Sequence, residues 1–431
     1  MLFRNFRNLQ LPDSRGPLRV MFIHTELVVG GAETLLAEII RKMDREKFSP
    51  ELCCLKDLEE LGEILAKEIP THSGLLRHKL DIGVIPRLRR LLKERKTDAI
   101  VTIGTGGDRM FWGRLAAWSA GVPVILSALH ATGYPMKVEW MNRLLSPITD
   151  GFIGCASRHA DYLVSGEKCP ADKVFTVWNG VDIERFQPLD QQEVRKHLDL
   201  PIGVPIAGIV AALREEKQHT LLIDSWAKVV EQLPKAVLVV VGDGVERQAI
   251  EDSVERHGLA KNVRLLGTRH NVHELLSAFD VKVLASRMEA NPASTLEANA
   301  CGIPAIAPNV GSLPDTIRHG KTGLLYEANN SKALAECLVR LLSESPLRKE
   351  MGAAALELVR ERFSVDVMVG GYECLIDGVY RAACAGQRYL PAEHENRMEA
   401  KLLAKAEEAP SRPFSPDLTN GTLQQLSSLQ H

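Results

Sequence analysis

Short runs of β-branched and aliphatic residues alternate along the chain with longer stretches whose apolar positions recur at helical spacing. In the first half the short runs are RVMFIH (19–24), ELCCL (51–55), DAIVTI (98–103), VPVILS (122–127), GFIGCA (151–156) and VFTVW (174–178). The second half repeats the scheme with IAGIVAAL (206–213), AVLVVVG (236–242), NVRLLG (262–267), DVKVLA (280–285), IPAIA (303–307) and GLLY (323–326). These runs are apolar throughout rather than alternating, as expected of parallel strands covered by helices on both faces. Stretches such as AETLLAEIIRKM and MFWGRLAAWSA, and residues 330–344, 346–362 and 365–384, read as helices. Strand–helix alternation in two successive series predicts an α/β protein of two doubly wound domains. Turn residues and a proline place the boundary near WNGVDIERFQPLDQQ (178–192). The residues after 384 lack apolar periodicity beyond one short charged helix and are expected to be disordered.

The chain has 431 residues, 45% hydrophobic and 25% charged, with a formal net charge of -2. That balance gives no reason to expect nucleic acid as a partner. No C-x-x-C pair occurs among the eight cysteines, which argues against a zinc site. Several sit in apolar runs, as expected for a reducing compartment without a disulfide framework. The longest apolar region, FWGRLAAWSAGVPVILSAL, is interrupted by Arg114, Gly121 and Pro123 and reads as a helix followed by a strand. The N-terminal MLFRNFRNLQLPDSRG has no secretory-type apolar core. The expected location is the cytoplasm.

In open α/β sheets ligands bind at the carboxyl ends of strands, so the strand-to-helix junctions carry the chemistry. At the first junction, HTELVVGGAETLLAEII, Gly30 and Gly31 would let backbone N–H groups approach a phosphate at a helix start. A loop needing only positive φ explains the same glycines equally well. At the second, IVAALREEKQHTLLIDSW, Arg214 and Lys217 stand where cations would meet a departing diphosphate; a solvated charged turn is the alternative. The third, SRMEANPASTLEANACGIPAIA, is the sharpest. Asn291 fits a helix N-cap and Pro292 the first helical position, leaving the N–H groups of 293–295 aimed at the site. Glu289 falls in the loop before that helix and Glu297 inside it. This spacing suits one carboxylate on sugar hydroxyls and one on ribose hydroxyls.

Taken together, GGAE (30–33), NGVDIERF (179–186), VGDG (241–244), VRLLG (263–267) and EANPASTLEANACGIPAIAPNVGSLPDTIRHGKTGLLY (289–326) resemble the family 4 retaining glycosyltransferases of the GT-B fold, over roughly residues 18–384. The resemblance implies two Rossmann-like domains facing a central cleft. The division would be a flexible 1–16, an acceptor domain of 17–180 completed by helix 365–384, a donor domain of 181–364 and a disordered tail of 385–431. It implies Glu289 on the donor sugar, Glu297 on the ribose, Arg214, Lys217 and the Gly30–Gly31 backbone on the diphosphate, and Leu266 and Gly267 at the nucleobase. Asn291, Pro292, Ala293 and Ser294 would line the donor site. His130, in VILSALHAT, matches the family's active-site histidine; a satisfied core histidine is the plain alternative. Two departures stand out. Ala211-Ala212-Leu213 replaces the usual Gly-Arg-Leu, so Arg214 would have to reach in, and Ala290 replaces a glycine.

The implied activity is a metal-independent, cofactor-free transfer of a hexose-type sugar from a UDP- or GDP-sugar to a glycan, lipid-linked or small-molecule acceptor, in polysaccharide biosynthesis. A sugar-nucleotide epimerase of the same fold, or a non-catalytic nucleotide-sugar-binding protein, are the rivals. Acceptor contacts would fall in GTGGDRMFW (104–112) and HATGYPMK (130–137). The basic stretch LLRHKLDIGVIPRLRRLLKERK (75–96) is a candidate for peripheral contact with the inner face of a membrane through Arg87, Arg89, Arg90, Lys93, Arg95 and Lys96, with a solvated helix face as the alternative.

Overall fold

The computed structural model describes residues 9–28, 30–78, 80–104, 109–129 and 139–408. The first sheet comprises β1 (Leu18–His24), β2 (Phe48–Cys54), β3 (Thr71–His72), β4 (Ala99–Gly104), β5 (Val124–Leu129), β6 (Gly151–Gly154) and β7 (Val174–Thr176). The second comprises β8 (Ile206–Val210), β9 (Val237–Val241), β10 (Val263–Gly267), β11 (Val281–Val283), β12 (Ala305–Pro308) and β13 (Gly323–Tyr326). The strand orders are β3-β2-β1-β4-β5-β6-β7 and β10-β9-β8-β11-β12-β13, and every pairing is parallel. Both orders run outward from their first strand in two directions, the Rossmann pattern, with switch points at β1/β4 and β8/β11.

Burial on both faces explains the continuous apolar runs. Along β9, Leu238 and Val240 belong to one core cluster while Val237, Val239 and Val241 belong to the other. The first sheet is covered likewise: Phe22 and Val101 face the Gly31–Lys42 helix side, and Met21 and Ile100 face the side of Leu88, Ala116 and Ala117. Thr71–His72 is a two-residue edge strand, too short and too polar to register as an apolar run. The run 206–213 stops being strand at Val210 because its end turns onto the neighbouring loop. There the Ala211 N–H donates to Val241 O at 3.0 Å and the Leu213 N–H to Asp243 O at 3.0 Å.

After the second sheet the chain returns to the first. The Val181 N–H donates to Phe363 O and the Val365 N–H to Val181 O, at 2.8 and 2.9 Å. Gly180 makes this crossing tight: a β-carbon there would lie 2.7 Å from Ser364 O. The Val365–Cys384 helix then delivers Met368, Tyr372, Leu375, Ile376 and Tyr380 into the core around β1, β4 and β5.

Two expectations at the ends of the chain need correction. Residues 385–408 are not disordered. The Pro391–Glu408 helix packs on the first domain, where Tyr389 stacks on Phe175 at 6.0 Å and His394 is buried edge-on to the same ring at 5.8 Å. The sequence showed a charged helix, but its few buried residues find their partner at long range. Residues 9–16 are likewise tied down rather than flexible. Arg15 pairs with Asp98 at 2.8 Å and donates to the Tyr380 hydroxyl at 2.7 Å, while Asp13 meets Arg381 at 2.9 Å. Residues 1–8 and 409–431 lie outside the described residues. Truncation after Gln387 is therefore expected to lower stability by about 2–4 kcal/mol through loss of the Tyr389 and His394 packing, measurable by denaturant unfolding. An unchanged midpoint would show that the helix contributes nothing.

Candidate functional site

The second sheet's switch point gathers three segments at the carboxyl ends of β8 and β11: residues 211–217, 284–289 and the start of the Ala293–Ala300 helix. The first two are stitched together. Lys217 Nζ donates to Glu289 Oε1 at 2.6 Å, the Arg287 N–H donates to Glu216 O at 2.9 Å, and Arg287 Nη1 pairs with Glu215 at 2.9 Å. Ser286 Oγ also donates to Glu289 Oε1 at 2.6 Å, so the buried carboxylate holds two donors at one oxygen. Its backbone is equally fixed. The Ser312 N–H donates to Glu289 O at 3.1 Å, and Gly311, at φ +50°, approaches so closely that a β-carbon would lie 1.9 Å from that oxygen. Gly311→Ala is expected to displace the Glu289 loop and lower the melting temperature; an unchanged melting temperature would contradict this.

Asn291 and Pro292 do not occupy the places expected of them. Pro292 itself is the N-cap, with extended backbone (φ -71°, ψ 118°), and Ala293 is the first helical residue. The Asn291 amide is drawn instead to the first domain, donating to Cys155 O at 2.9 Å, while the Asn179 amide donates to Asn291 O at 2.9 Å. Of the N–H groups expected to face the ligand, that of Thr295 already donates to Pro292 O at 3.1 Å. Ala293 and Ser294 therefore present the helix start, where backbone donors lack intrahelical partners.

Glu297, half-buried inside this helix, has its carboxyl pushed up to about 7 by burial, against the opposing pull of Lys282 and Arg185. Lys282, which sequence reading passed over, is fully buried on β11. Burial pushes its ammonium down to about 7, opposed by Glu297 and Glu289 and assisted by Lys217. His219, buried at the start of the next helix, is pushed to about 4 by burial and then by Lys282 and Lys217, so it is a neutral imidazole at pH 7. Arg214 does not join this group. Its side chain is 67% exposed and the nearest carboxylate is Glu216, at 4.0 Å. Leu266 and Gly267 end β10, two strands outward from β8. At strand spacing that is roughly 10 Å from the switch point.

In the first domain, Gly30 caps the Gly31–Lys42 helix with extended backbone (φ -153°), so it does not use glycine's positive-φ freedom. What it uses is space: the Glu33 carboxylate folds over it, 2.4 Å from where a β-carbon would sit, and lies 3.8 Å from His24 Nε2. His130 and the acceptor-loop residues 105–108 and 130–137 lie outside the described residues. The domains meet at the site. Ala293 packs on the first-domain core, and Arg158 pairs with Asp315 at 3.2 Å. Among the described residues no group of three or more His, Cys, Asp or Glu side chains could hold a metal ion.

Comparison with known proteins returns the same two-domain α/β architecture. The model for Glycosyltransferase Family 4 matches residues 29–185, and that for Glycosyl transferases group 1 matches 190–358. The chain belongs to the family 4 glycosyltransferases. It is 32% identical over 212 residues to the N-acetyl-alpha-D-glucosaminyl L-malate synthase of Bacillus anthracis, a match covering 49% of this chain and only 55% of that enzyme. It is 24% identical over 349 residues to the UDP-Gal:alpha-D-GlcNAc-diphosphoundecaprenol alpha-1,3-galactosyltransferase of Escherichia coli, covering 76% of this chain and 89% of that enzyme. In fold it is similar to Anabaena Alr3699/HepE, solved in complex with UDP, with a TM-score of 0.72, 20% identity, and coverage of 82% of this chain and 98% of that one. The structural likeness establishes the GT-B arrangement of two Rossmann-like domains in this glycosyltransferase.

Proposed function

We propose that this glycosyltransferase moves a hexose-type sugar, with retention of configuration and without a metal ion, from a UDP- or GDP-sugar to a glycan or lipid-linked acceptor. The observation that carries the reading is the Lys217–Glu289 pair seated beside the start of the Ala293–Ala300 helix. An ammonium and unpaired helix N–H groups are what a diphosphate leaving group needs as its charge grows. In this reading Lys217 passes from Glu289 to the phosphate oxygens, and Glu289 is released to the donor sugar's hydroxyls. Ala293 and Ser294 meet the diphosphate, Glu297 the ribose, and Leu266 and Gly267 the base. The Gly30 and Gly31 N–H groups complete the phosphate site from the first domain once Glu33 swings aside, with His130 serving the sugar. The bond from the anomeric carbon to the diphosphate oxygen breaks, the acceptor oxygen attacks from the same face, and its proton passes to the departing phosphate.

Support for a UDP donor comes from the UDP bound by the Anabaena relative and the UDP-Gal named for the Escherichia coli one. A screen of UDP- and GDP-sugars in the presence of a chelator, reading nucleotide release with and without acceptor, tests the proposal. Release that requires acceptor supports it. A strict metal requirement, or an isomerised sugar nucleotide without acceptor, would overturn it.

The diphosphoundecaprenol acceptor named for the Escherichia coli relative favours a lipid-linked acceptor and membrane contact. The basic stretch has the surface for it, although less than its composition promised. Val84, Leu88 and Leu92 of the Val84–Glu94 helix face the core, Arg87 is taken by Asp81, and Arg95 pairs with Glu51 at 2.8 Å. Arg90 and Lys93 remain exposed on the helix, and Leu80 and Ile82, in the segment leading into it, are 75% and 69% exposed. Exposed apolar tips in the same segment as exposed cations suit an anionic bilayer surface. Binding to phosphatidylglycerol vesicles at low salt is expected to fall at least fivefold in Leu80→Ser/Ile82→Ser; equal binding by both proteins would exclude this surface. No helix among the described residues is long and apolar enough to cross a membrane.

A further inference from the structure

Arg214 points to solvent, so Lys217 is the one cation among Arg214, Lys217 and Arg287 whose side chain enters the switch point; Arg287 is held by the exposed Glu215. A second positive group lies beneath it. Lys282 is paired in register with Gly208 on β8, and its stem climbs two residues toward the ligand end of the sheet, so that Nζ reaches Val210 O at 3.5 Å and Val283 O at 3.4 Å. These are long contacts for an ammonium. No carboxylate among the described residues comes within ion-pair distance of it. Its neighbours on β11, Val281 and Val283, are the apolar residues a central parallel strand calls for. A buried lysine with incomplete solvation under a ligand site is costly for the fold alone.

We propose that Lys282 is an electrostatic positioning residue for the donor, its buried ammonium supplying beneath the diphosphate the second positive charge that Arg214 does not bring. The inference rests on the donor-site reading above. Lys282 does not touch the ligand; it acts through the loop 211–217 and the Val210 carbonyl lying between them. The charged groups around it are Lys217 on that loop, Glu289 on the loop after β11 and Glu297 on the Ala293–Ala300 helix, with neutral His219 on the helix that follows Lys217. Without ligand, Lys282 is partly deprotonated near neutral pH, because burial and Lys217 disfavour its charge more than Glu297 and Glu289 favour it. An arriving dianion reverses that balance, so diphosphate binding takes up a proton at Lys282. Affinity for the nucleoside diphosphate should therefore fall as pH rises from about 7 to 9, while affinity for the nucleoside, which carries no phosphate, should not.

The test is calorimetric titration of wild type, Lys282→Met and Lys282→Arg with UDP, GDP and the corresponding nucleosides at pH 6, 7.5 and 9, in buffers of different ionisation enthalpy. Wild type is expected to lose about tenfold in diphosphate affinity between pH 6 and 9, with proton uptake near pH 7.5. Lys282→Met should bind the diphosphate about tenfold more weakly at pH 6, with its pH dependence flattened and nucleoside affinity unchanged. Lys282→Arg, charged throughout, should bind without the decline. If wild type binds UDP or GDP and Lys282→Met shows the same affinity and the same pH profile, the role of Lys282 is excluded while the donor site stands. The wild-type profile needs no variant, so a flat wild-type response with no proton uptake overturns the inference even if a variant misfolds. If wild type binds neither nucleotide, the donor-site reading fails and this inference with it.

Discussion

Lys217→Met is expected to lower turnover by about 10²–10³-fold, the usual cost of removing one preorganised group aimed at developing transition-state charge. The change also strips a nearly buried Glu289 of its cation, leaving Ser286 as the remaining donor at that oxygen. Losing one partner of such a pair leaves an uncompensated charge, so stability should drop by about 1–3 kcal/mol. The double variant Lys217→Met/Glu289→Gln separates the two effects. It removes the orphaned charge and should recover most of the lost stability, but turnover should stay low. Steady-state kinetics beside thermal melts check this. Turnover that recovers together with stability would mean that the pair serves the fold and not the leaving group.

Glu297→Gln is expected to cripple transfer and, above neutral pH, to stabilise the protein. The native carboxyl titrates near 7 where an unfolded one titrates near 4.5, mainly because the helix buries it. Below pH 4.5 the group is neutral in both states and costs nothing. Between 4.5 and about 7 the unfolded chain ionises first, so the native state is progressively disfavoured, and above 7 the full cost applies. A neutral glutamine removes a cost on the order of 1–3 kcal/mol there. The advantage fades in acid. Glu297 is the strongest charge favouring the Lys282 ammonium, but below pH 7 its carboxyl is already mostly neutral in the wild type, so the glutamine removes little there. Melting temperatures of the variant and wild type should lie close together at pH 6 and separate above neutrality, with the variant higher at pH 8.5. Curves offset equally at both pH values would show that burial does not raise the Glu297 carboxyl. If Glu297 meets the ribose as proposed, donor affinity should fall about tenfold or more, read by calorimetry.

The sheets were legible because parallel strands covered on both faces leave a signature that needs no partner: VLVVV is β9 and little else. The same logic concealed Thr71–His72, an edge strand defined only by its neighbour. At the site, Glu289 and Glu297 fall before and within the helix as the spacing implied, and Lys217 stands beside Glu289. What could not be read was direction. Arg214 lies in the right loop, yet the anchoring of Leu213 to Asp243 and Glu246 sets its backbone so that the side chain leaves the site. Asn291 satisfies every local rule for a cap, but a carbonyl 136 residues away in sequence captures its amide. Lys282 is one charge in DVKVLA, and only the strand order reveals that β11 sits between β8 and β12, where no water reaches it. Each of these turns on a long-range contact, which periodicity cannot carry.

The central claim is that a nucleoside diphosphate lodges at the β8/β11 switch point. A crystal structure of the protein with UDP, or GDP if the screen favours it, tests it most directly. The account expects the β-phosphate within hydrogen-bond distance of Lys217 Nζ and of the Ala293 or Ser294 N–H, with Glu297 on the ribose. A nucleotide bound away from these groups, or a diphosphate reached by Arg214 with Lys217 still locked to Glu289, would contradict it.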